Sequence, residues 1–175
     1  MTAPQVRSVP APLDGFAANA LSRLDFSDAY AVELPPGVDA SALAAAVFAS
    51  APPWVVALMA VRHMVVAPLG LIATPGALRR AAVAQNLAGE LVGAFPVLAR
   101  STGEVLLGLD DRHLDFRVSV RVVAQAGQPP LGVVATYVRL NRWLGSAYFA
   151  AVKPFHRVIV PAMLRRAARR LALTR

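Results

Sequence analysis

Apolar positions repeat about every 3.6 residues over the last part of the chain, from Arg142 to about Leu171. One narrow arc of the corresponding helix is apolar and consists of Leu144, Tyr148, Ala151, Phe155, Val158 and Ala162. The opposite arc is polar and contains Arg142, Ser146, Lys153 and Arg157. A helix of this kind buries its apolar stripe and exposes its polar side. The pattern therefore predicts a long amphipathic C-terminal helix, capped by Asn141.

After Gly93 the period changes to two residues, which is typical of strands. The clearest run is His113 to Val123. Its apolar positions are Leu114, Phe116, Val118, Val120 and Val122, and its polar positions are His113, Asp115, Arg117, Ser119 and Arg121. This alternation predicts an antiparallel sheet with one face against a core and the other face in water. Further strands are predicted over Ala29–Leu34, Ala94–Arg100, Glu104–Leu109 and Leu131–Leu140, with a turn over 125–130.

Two helices are predicted between the first strand and this meander. Asp39 or Ser41 caps the first helix, and two adjacent prolines at 52 and 53 open the second, which Pro68 ends. Residues 74–92 are rich in alanine and predict a further weak helix that covers the core.

Prolines at positions 4, 10 and 12 predict that residues 1–25 form a partly extended arm. Residues 26–175 then make a single domain, whose elements are a strand, two helices, an antiparallel meander and a long helix. Helices gathered on one face of an antiparallel sheet make an α+β fold. The apolar face of the sheet is expected to pack on the apolar stripe of the C-terminal helix.

Composition narrows the class of protein. The chain has 175 residues, 57% of them hydrophobic, and a net charge of +8; Lys153 is its one lysine. Cysteine is absent, which excludes disulfides and thiolate chemistry. The apolar run Trp54 to Ile72 carries Arg62 and His63 at its middle, so we expect a buried helix rather than a membrane span. The N-terminus does not have the pattern of a secretory signal, and we expect a cytoplasmic protein.

Three segments resemble a known family: PPWVVALMAVRHMVVAPLGL (52–71), LGLDDRHLDFRVSV (107–120) and PFHRVIVPAMLRR (154–166). Over about residues 26–170 the chain resembles the bacterial domain-of-unknown-function family 2867. That family is grouped with the START-like, Bet v 1-like (SRPBCC) helix-grip domains. The resemblance implies a curved sheet that wraps around the last helix, with a cavity between them for an apolar ligand. It implies no activity, because the family has no assigned catalytic residues.

Polar candidates for a site are few. The densest cluster is Asp110-Asp111-Arg112-His113, which has the carboxylates and imidazole for acid–base chemistry but also suits a hairpin turn, and the turn is favoured. His63 and His156 each lie on a helix, where a lone histidine is more often a packed residue than a ligand. Dispersed histidines, few acids and the lack of nucleotide-binding motifs predict no metal site and no cofactor.

Large apolar side chains are the candidates for a pocket wall. They are Phe95, Phe116, Val118, Tyr137, Trp143, Tyr148 and Phe155. For each of them, plain core packing competes with ligand binding. Tyr137 and Tyr148 are the strongest candidates, because a buried phenol needs a hydrogen-bond partner and orients the polar end of a ligand.

Three functions remain open on the sequence. The first is a domain that binds a hydrophobic small molecule between sheet and C-terminal helix, and the second is an enzyme on that scaffold, resembling a polyketide cyclase or a hydrolase. The third is a module that binds a partner or a membrane through its basic end. Weak contact with anionic membranes is possible there through Arg165, Arg166, Arg169 and Arg170. Specific nucleic-acid binding is not expected, since aromatic residues do not alternate with these arginines.

Overall fold

The computed structural model describes residues 4–49, 51–66, 90–93, 95–111 and 113–174. Within these ranges seven strands form one open antiparallel sheet, in the order β1-β2-β7-β6-β5-β4-β3. The strands are β1 (Arg7–Val9), β2 (Phe26–Glu33), β3 (Leu91–Val92), β4 (Phe95–Arg100), β5 (Glu104–Asp110), β6 (Leu114–Gln125) and β7 (Gln128–Leu140). The helices are α1 (Ala40–Phe48), α2 (Pro53–Val66) and α3 (Trp143–Leu173), with a short 3-10 helix at Gly15–Ala17. The fold is therefore α+β with a long C-terminal helix, as the sequence predicts.

The first long strand pairs with the last one. β2 lies antiparallel to β7, with Phe26 opposite Val138. β6 and β7 form the longest hairpin, and its turn contains Gly127 with φ of 68°. A residue with a side chain adopts that conformation only with strain. The prediction of a turn over 125–130 was wrong, because this glycine helps to reverse the chain in two residues and the following prolines belong to β7.

Local sequence determines where the first two helices begin. Asp39 is the N-cap of α1, and its carboxylate accepts a hydrogen bond from the main-chain N–H of Ala42 at 2.7 Å. It is one of the two caps that the sequence predicts. α2 begins at the second of the two adjacent prolines, also as predicted. Pro68 and most of the helix predicted over 74–92 lie outside the described residues, but Leu91–Val92 form β3 and not the end of a helix.

The start of α3 differs from the prediction. Arg142 occupies the N-cap position, and its side chain makes no capping bond. The side-chain amide of Asn141 instead donates to the main-chain oxygen of Asp111 and to the Asp115 carboxylate, both at 2.9 Å. The main-chain N–H groups of Asn141 and Arg142 both donate to the carbonyl of His113. The predicted cap was wrong because Asn141 ties the helix start to the β5–β6 turn.

The buried face of α3 also differs from the predicted stripe. Its buried residues are Gly145, Ile159, Leu164, Ala167 and Ala168. Phe155 and Val158, which belong to the predicted stripe, are 50% and 59% exposed. α3 packs mainly on α1 and also on β2 and β7. The predicted stripe was wrong because it assumed one buried arc along the whole helix. α3 packs against α1 and against the strands β2 and β7, so different sides of the helix are buried.

The sheet has two covered faces, and the face predicted to lie in water is one of them. We call the face that carries Val118 and Val120 the helix-facing face, because α1 and α3 pack over it. The opposite, outer face carries Ser119 and Asp115, which are 0% and 2% exposed. The N-terminal segment covers it: β1 pairs with β2, and Ala17 packs in a cluster with Ala29, Ala31, Val133, Ala135 and Tyr137. The prediction of a wet face was wrong because alternation identifies a polar face without showing what covers it.

Candidate functional site

Polar and aromatic side chains meet where β2 passes beneath α3. Phe26, Asp28 and Tyr30 alternate along β2, so they share the helix-facing face of the sheet. On the neighbouring strand β7, Val138, Thr136 and Val134 lie opposite them, and all three are buried. Asp28 is therefore a carboxylate on a largely apolar face. We call the set Phe26, Asp28, Tyr30, Phe149, Lys153 and His156 the β2–α3 cluster.

His156 and Asp28 form the polar centre of this cluster. Nε2 of His156 lies 3.2 Å from Oδ1 of Asp28, and the two side chains are 21% and 14% exposed. The hydroxyl of Tyr30 lies 3.5 Å from the other carboxylate oxygen. A carboxylate only accepts hydrogen bonds, so Nε2 carries the proton in this pair.

Aromatic rings and a cation surround that pair. The Phe26 ring lies 4.8 Å from the Phe149 ring and 6.4 Å from the His156 ring, centroid to centroid. Nζ of Lys153 lies 5.0 Å from the Phe26 centroid, within the range of a cation–π contact. Burial raises the pKa of Tyr30, the negative charge of Asp28 raises it further, and Arg157 opposes both effects. Tyr30 therefore stays a neutral hydrogen-bond donor at physiological pH.

Apolar side chains continue the helix-facing face away from the cluster. The Phe95 ring lies 5.3 Å from Phe48 of α1 and 5.4 Å from Phe116 of β6, both edge-on. Phe116 and Val118 are partly exposed. Their direct neighbours are nevertheless buried: Leu107 and Leu109 on β5, and Thr136 and Val138 on β7. Solvent therefore reaches the middle of a face whose flanking strands are covered.

The structure distributes the predicted pocket residues over three places. Phe95, Phe116 and Val118 come together on the helix-facing face, as just described. Tyr137 lies on the outer face, where its hydroxyl donates to the carbonyl of Pro12. Trp143 is 81% exposed and Phe155 is 50% exposed, so both lie at the surface of α3. Tyr148 is partly exposed on the same helix.

The predicted polar cluster occupies the connection between β5 and β6. Asp110 ends β5 and forms an ion pair of 2.7 Å with Arg117. The main-chain N–H of Asp111 donates to the Asp115 carboxylate, and His113 is buried with its carbonyl bonded to the helix start. Arg112 and the side chain of His63 lie outside the described residues. Across the ranges that the structure describes, no three His, Asp or Glu side chains gather as a metal site requires.

The basic end of α3 is exposed. Arg165, Arg166, Arg169 and Arg170 all have exposed side chains on the last turns of the helix. Of the helices that the structure describes, none is both long and apolar enough to cross a bilayer. The predicted buried helix over Trp54 to Ile72 is described only as far as Val66.

A second polar network lies on the outer face, under the N-terminal segment. The Glu104 carboxylate is 7% exposed and accepts hydrogen bonds from the main-chain N–H of Phe16 at 3.0 Å and from the Ser119 hydroxyl at 2.7 Å. Arg121 lies 3.9 Å from it and forms an ion pair with Asp14. A shallow pocket of about 220 Å³ opens beside this network. Its lining consists of Leu13, Ala17, Ala18, Ala20, Leu21, Leu24 and Tyr137.

Sequence reasoning missed the three residues that β2 contributes to the cluster, Phe26, Asp28 and Tyr30. The signal was present, because Asp28 interrupts an apolar alternation of Phe26, Tyr30 and Val32. The predicted strand began at Ala29, however, and so excluded the carboxylate. Its pairing with His156 joins positions 128 residues apart, which only the β2–β7 pairing and the path of α3 bring together.

Comparison with known proteins gives one match. The family model described as a protein of unknown function, DUF2867, matches residues 20–163. No curated protein and no solved structure matches the chain.

Proposed function

The chain belongs to the DUF2867 family, and we propose that it binds a hydrophobic small molecule between the helix-facing face of its sheet and the C-terminal helix. One observation carries the proposal. Phe116 and Val118 stay partly exposed at the centre of a face whose neighbouring strands are buried. A core that packed directly against helices would bury its centre first. An apolar surface that solvent reaches between buried neighbouring strands suits an apolar ligand.

We also propose that the fold is a helix-grip fold of the START-like kind. Three features support this assignment. The first long strand pairs with the last one, two helices follow that first strand, and the long C-terminal helix packs on both β2 and β7. In this arrangement the sheet and α3 form two walls of the binding site, and α1 with Phe48 closes one end beside Phe95.

The test is a pair of matched tryptophan variants on β6. Val118→Trp places a bulky side chain at the sheet centre, where the ligand is proposed to bind, whereas Val123→Trp places the same side chain at a position that is already 44% exposed. Wild type and both variants are screened by thermal denaturation against a library of lipophilic compounds. A ligand that binds only the folded state raises the melting temperature.

We expect library members to bind wild type near one-to-one and to raise its melting temperature. Val123→Trp should retain this response and Val118→Trp should lose it. The proposal is wrong if no compound shifts the wild-type melt. It is also wrong if the two variants, both folded by circular dichroism, respond alike.

A further inference from the structure

Lys153 lies beside Phe26 at the β2 end of the proposed site. Its side chain is partly buried, and Nζ lies over the Phe26 ring on the helix-facing face of β2. His156 stands one turn further along the same side of α3, at the i+3 position. Both side chains therefore reach the space above Phe26.

The charges around this space do not balance. Asp28 is the acidic residue of the β2–α3 cluster, and its two oxygens face His156 and the Tyr30 hydroxyl. Among the described residues, no ion pair includes Lys153. Arg157 adds a second cation close to Tyr30. A partly buried ammonium beside aromatic rings is stabilised by an anion that comes with the ligand.

His156 borders the same space, and its ring centroid lies 6.4 Å from the Phe26 ring centroid. Its Nε2 is already paired with the Asp28 carboxylate, so the anion is assigned to Lys153. The charged and titratable groups around His156 are Asp28, which pairs with it, Tyr30, which contacts Asp28, and Arg157, whose charge acts on Tyr30.

We infer that the ligand is a lipophilic carboxylic acid. Its carboxylate binds Lys153 at the β2 end, and its apolar part extends from there towards Phe116 and Val118. Strands are about 4.8 Å apart, so the distance from β2 to β6 is roughly 10 Å, which a medium-length acyl chain covers. This inference rests on the proposed function, because it names the class of ligand for that same site.

The experiment compares dodecanoate with 1-dodecanol, which share the chain length and differ in charge. Because the chain has one lysine, reductive methylation with ¹³C-formaldehyde labels Lys153 and the N-terminal amine alone. The N-terminal signal is an internal control. Binding of both compounds is also measured to Lys153→Met and to the matched control Arg165→Met. Arg165 is an exposed cation on the same helix, twelve residues further along. At about 1.5 Å of rise per residue it lies roughly 18 Å from Lys153 along the axis of α3.

We expect dodecanoate to shift the Lys153 signal and to leave the N-terminal signal unchanged. Lys153→Met should weaken dodecanoate binding about ten-fold, or about 1.4 kcal/mol, and should leave dodecanol binding unchanged. Arg165→Met should bind both compounds like wild type. If both compounds bind wild type equally and Lys153→Met changes neither, the carboxylate site is wrong while the proposed function survives. If neither compound binds and no other lipophilic compound does, the proposed function fails first.

Discussion

Tyr137 shows how much the surroundings of one residue decide its role. The strand pattern of β7 identifies it as buried, and it is 2% exposed. The pattern does not say what lies above it, which is the main chain of Pro12 in the N-terminal segment. Burial raises the pKa of the Tyr137 phenol to about 12. Nearby charges have smaller effects: Arg121 lowers this pKa, and Glu104 and Asp14 raise it. The phenol therefore holds the N-terminal segment in place as a neutral donor.

Replacing Tyr137 with Phe should cost about 1 kcal/mol of unfolding free energy at pH 7, the net value of one hydrogen bond. The folded pKa lies above the unfolded value of about 10, so the folded state holds this proton more tightly. The resulting stability is fully present below pH 10 and is lost as the pH rises through 12. Between pH 9 and pH 11.5, the unfolding free energy measured in urea should therefore fall by about 1–2 kcal/mol less in the variant than in wild type. Equal losses in the two proteins would contradict a buried neutral phenol.

Asp28 also shows that a strand pattern predicts the face of a residue but not its partner. Its place on an apolar face could be read from the alternation of β2, but its partner His156 could not. Phe95, Phe116 and Val118 were predicted as pocket walls and do gather on one face, because period-two alternation determines the side of a strand. Trp143 and Phe155 were predicted with them as large apolar side chains, Phe155 also from helical spacing, and both are exposed. Spacing gives a helix an apolar arc without determining how the helix is rotated against the sheet.

At the scale of elements, the sequence predicts best where a local signal exists. The cap of α1, the opening of α2 and the strands of the meander all have such signals, and all were found within a few residues. The start of α3 depends instead on the turn between β5 and β6. Gly145 sits against that turn, and a Cβ there would overlap the carbonyl oxygen of His113. The close approach of helix and turn therefore requires a glycine at this position.

Replacing Gly145 with Ala should displace the start of α3 and lower the unfolding free energy by about 1–3 kcal/mol, as overpacking does. The loss arises because the added methyl group meets main chain, which cannot rotate away. Gly103→Ala is the control, since its Cβ meets the carbonyl of Val122 at 3.9 Å, an ordinary contact. Urea denaturation of both variants measures the difference. A Gly145→Ala protein as stable as the control would show that the helix start is not held by this turn.

At the scale of the whole molecule, the N-terminal segment is a layer of the fold, lying on the sheet opposite the helices. Its attachment depends on Glu104, whose buried carboxylate joins the N–H of Phe16 to Ser119. Gly15, with φ of 61°, allows the close approach, because a Cβ at that position would overlap this carboxylate. Alternation alone assigned this face to water. A segment rich in proline gives no periodic signal, so its position could not be predicted.

Replacing Glu104 with Ala should therefore release the N-terminal segment. The change leaves a part-buried N–H and a buried hydroxyl without their acceptor, which costs about 1–3 kcal/mol. Limited proteolysis should then cut within residues 4–25 much faster than in wild type. Glu90→Ala is the matched control, because Glu90 is 58% exposed in an ion pair with Arg100, and it should change stability by about 0.5 kcal/mol or less. Protection of the segment in both variants would show that Glu104 does not anchor it.

The pairing of β2 with β7 has a consequence for how the protein is made. Tyr30 pairs with Val134, so the ribosome adds roughly a hundred residues between the two partners. At about 5–20 residues per second, one edge of β2 waits on the order of ten seconds for its neighbour. β1 precedes β2 in the chain and pairs with its other edge at Ala29, Tyr30 and Ala31, so this part of β2 has a partner before β7 is made. Completion of the sheet, and of any site beneath α3, is therefore expected to be the last and slowest step of folding.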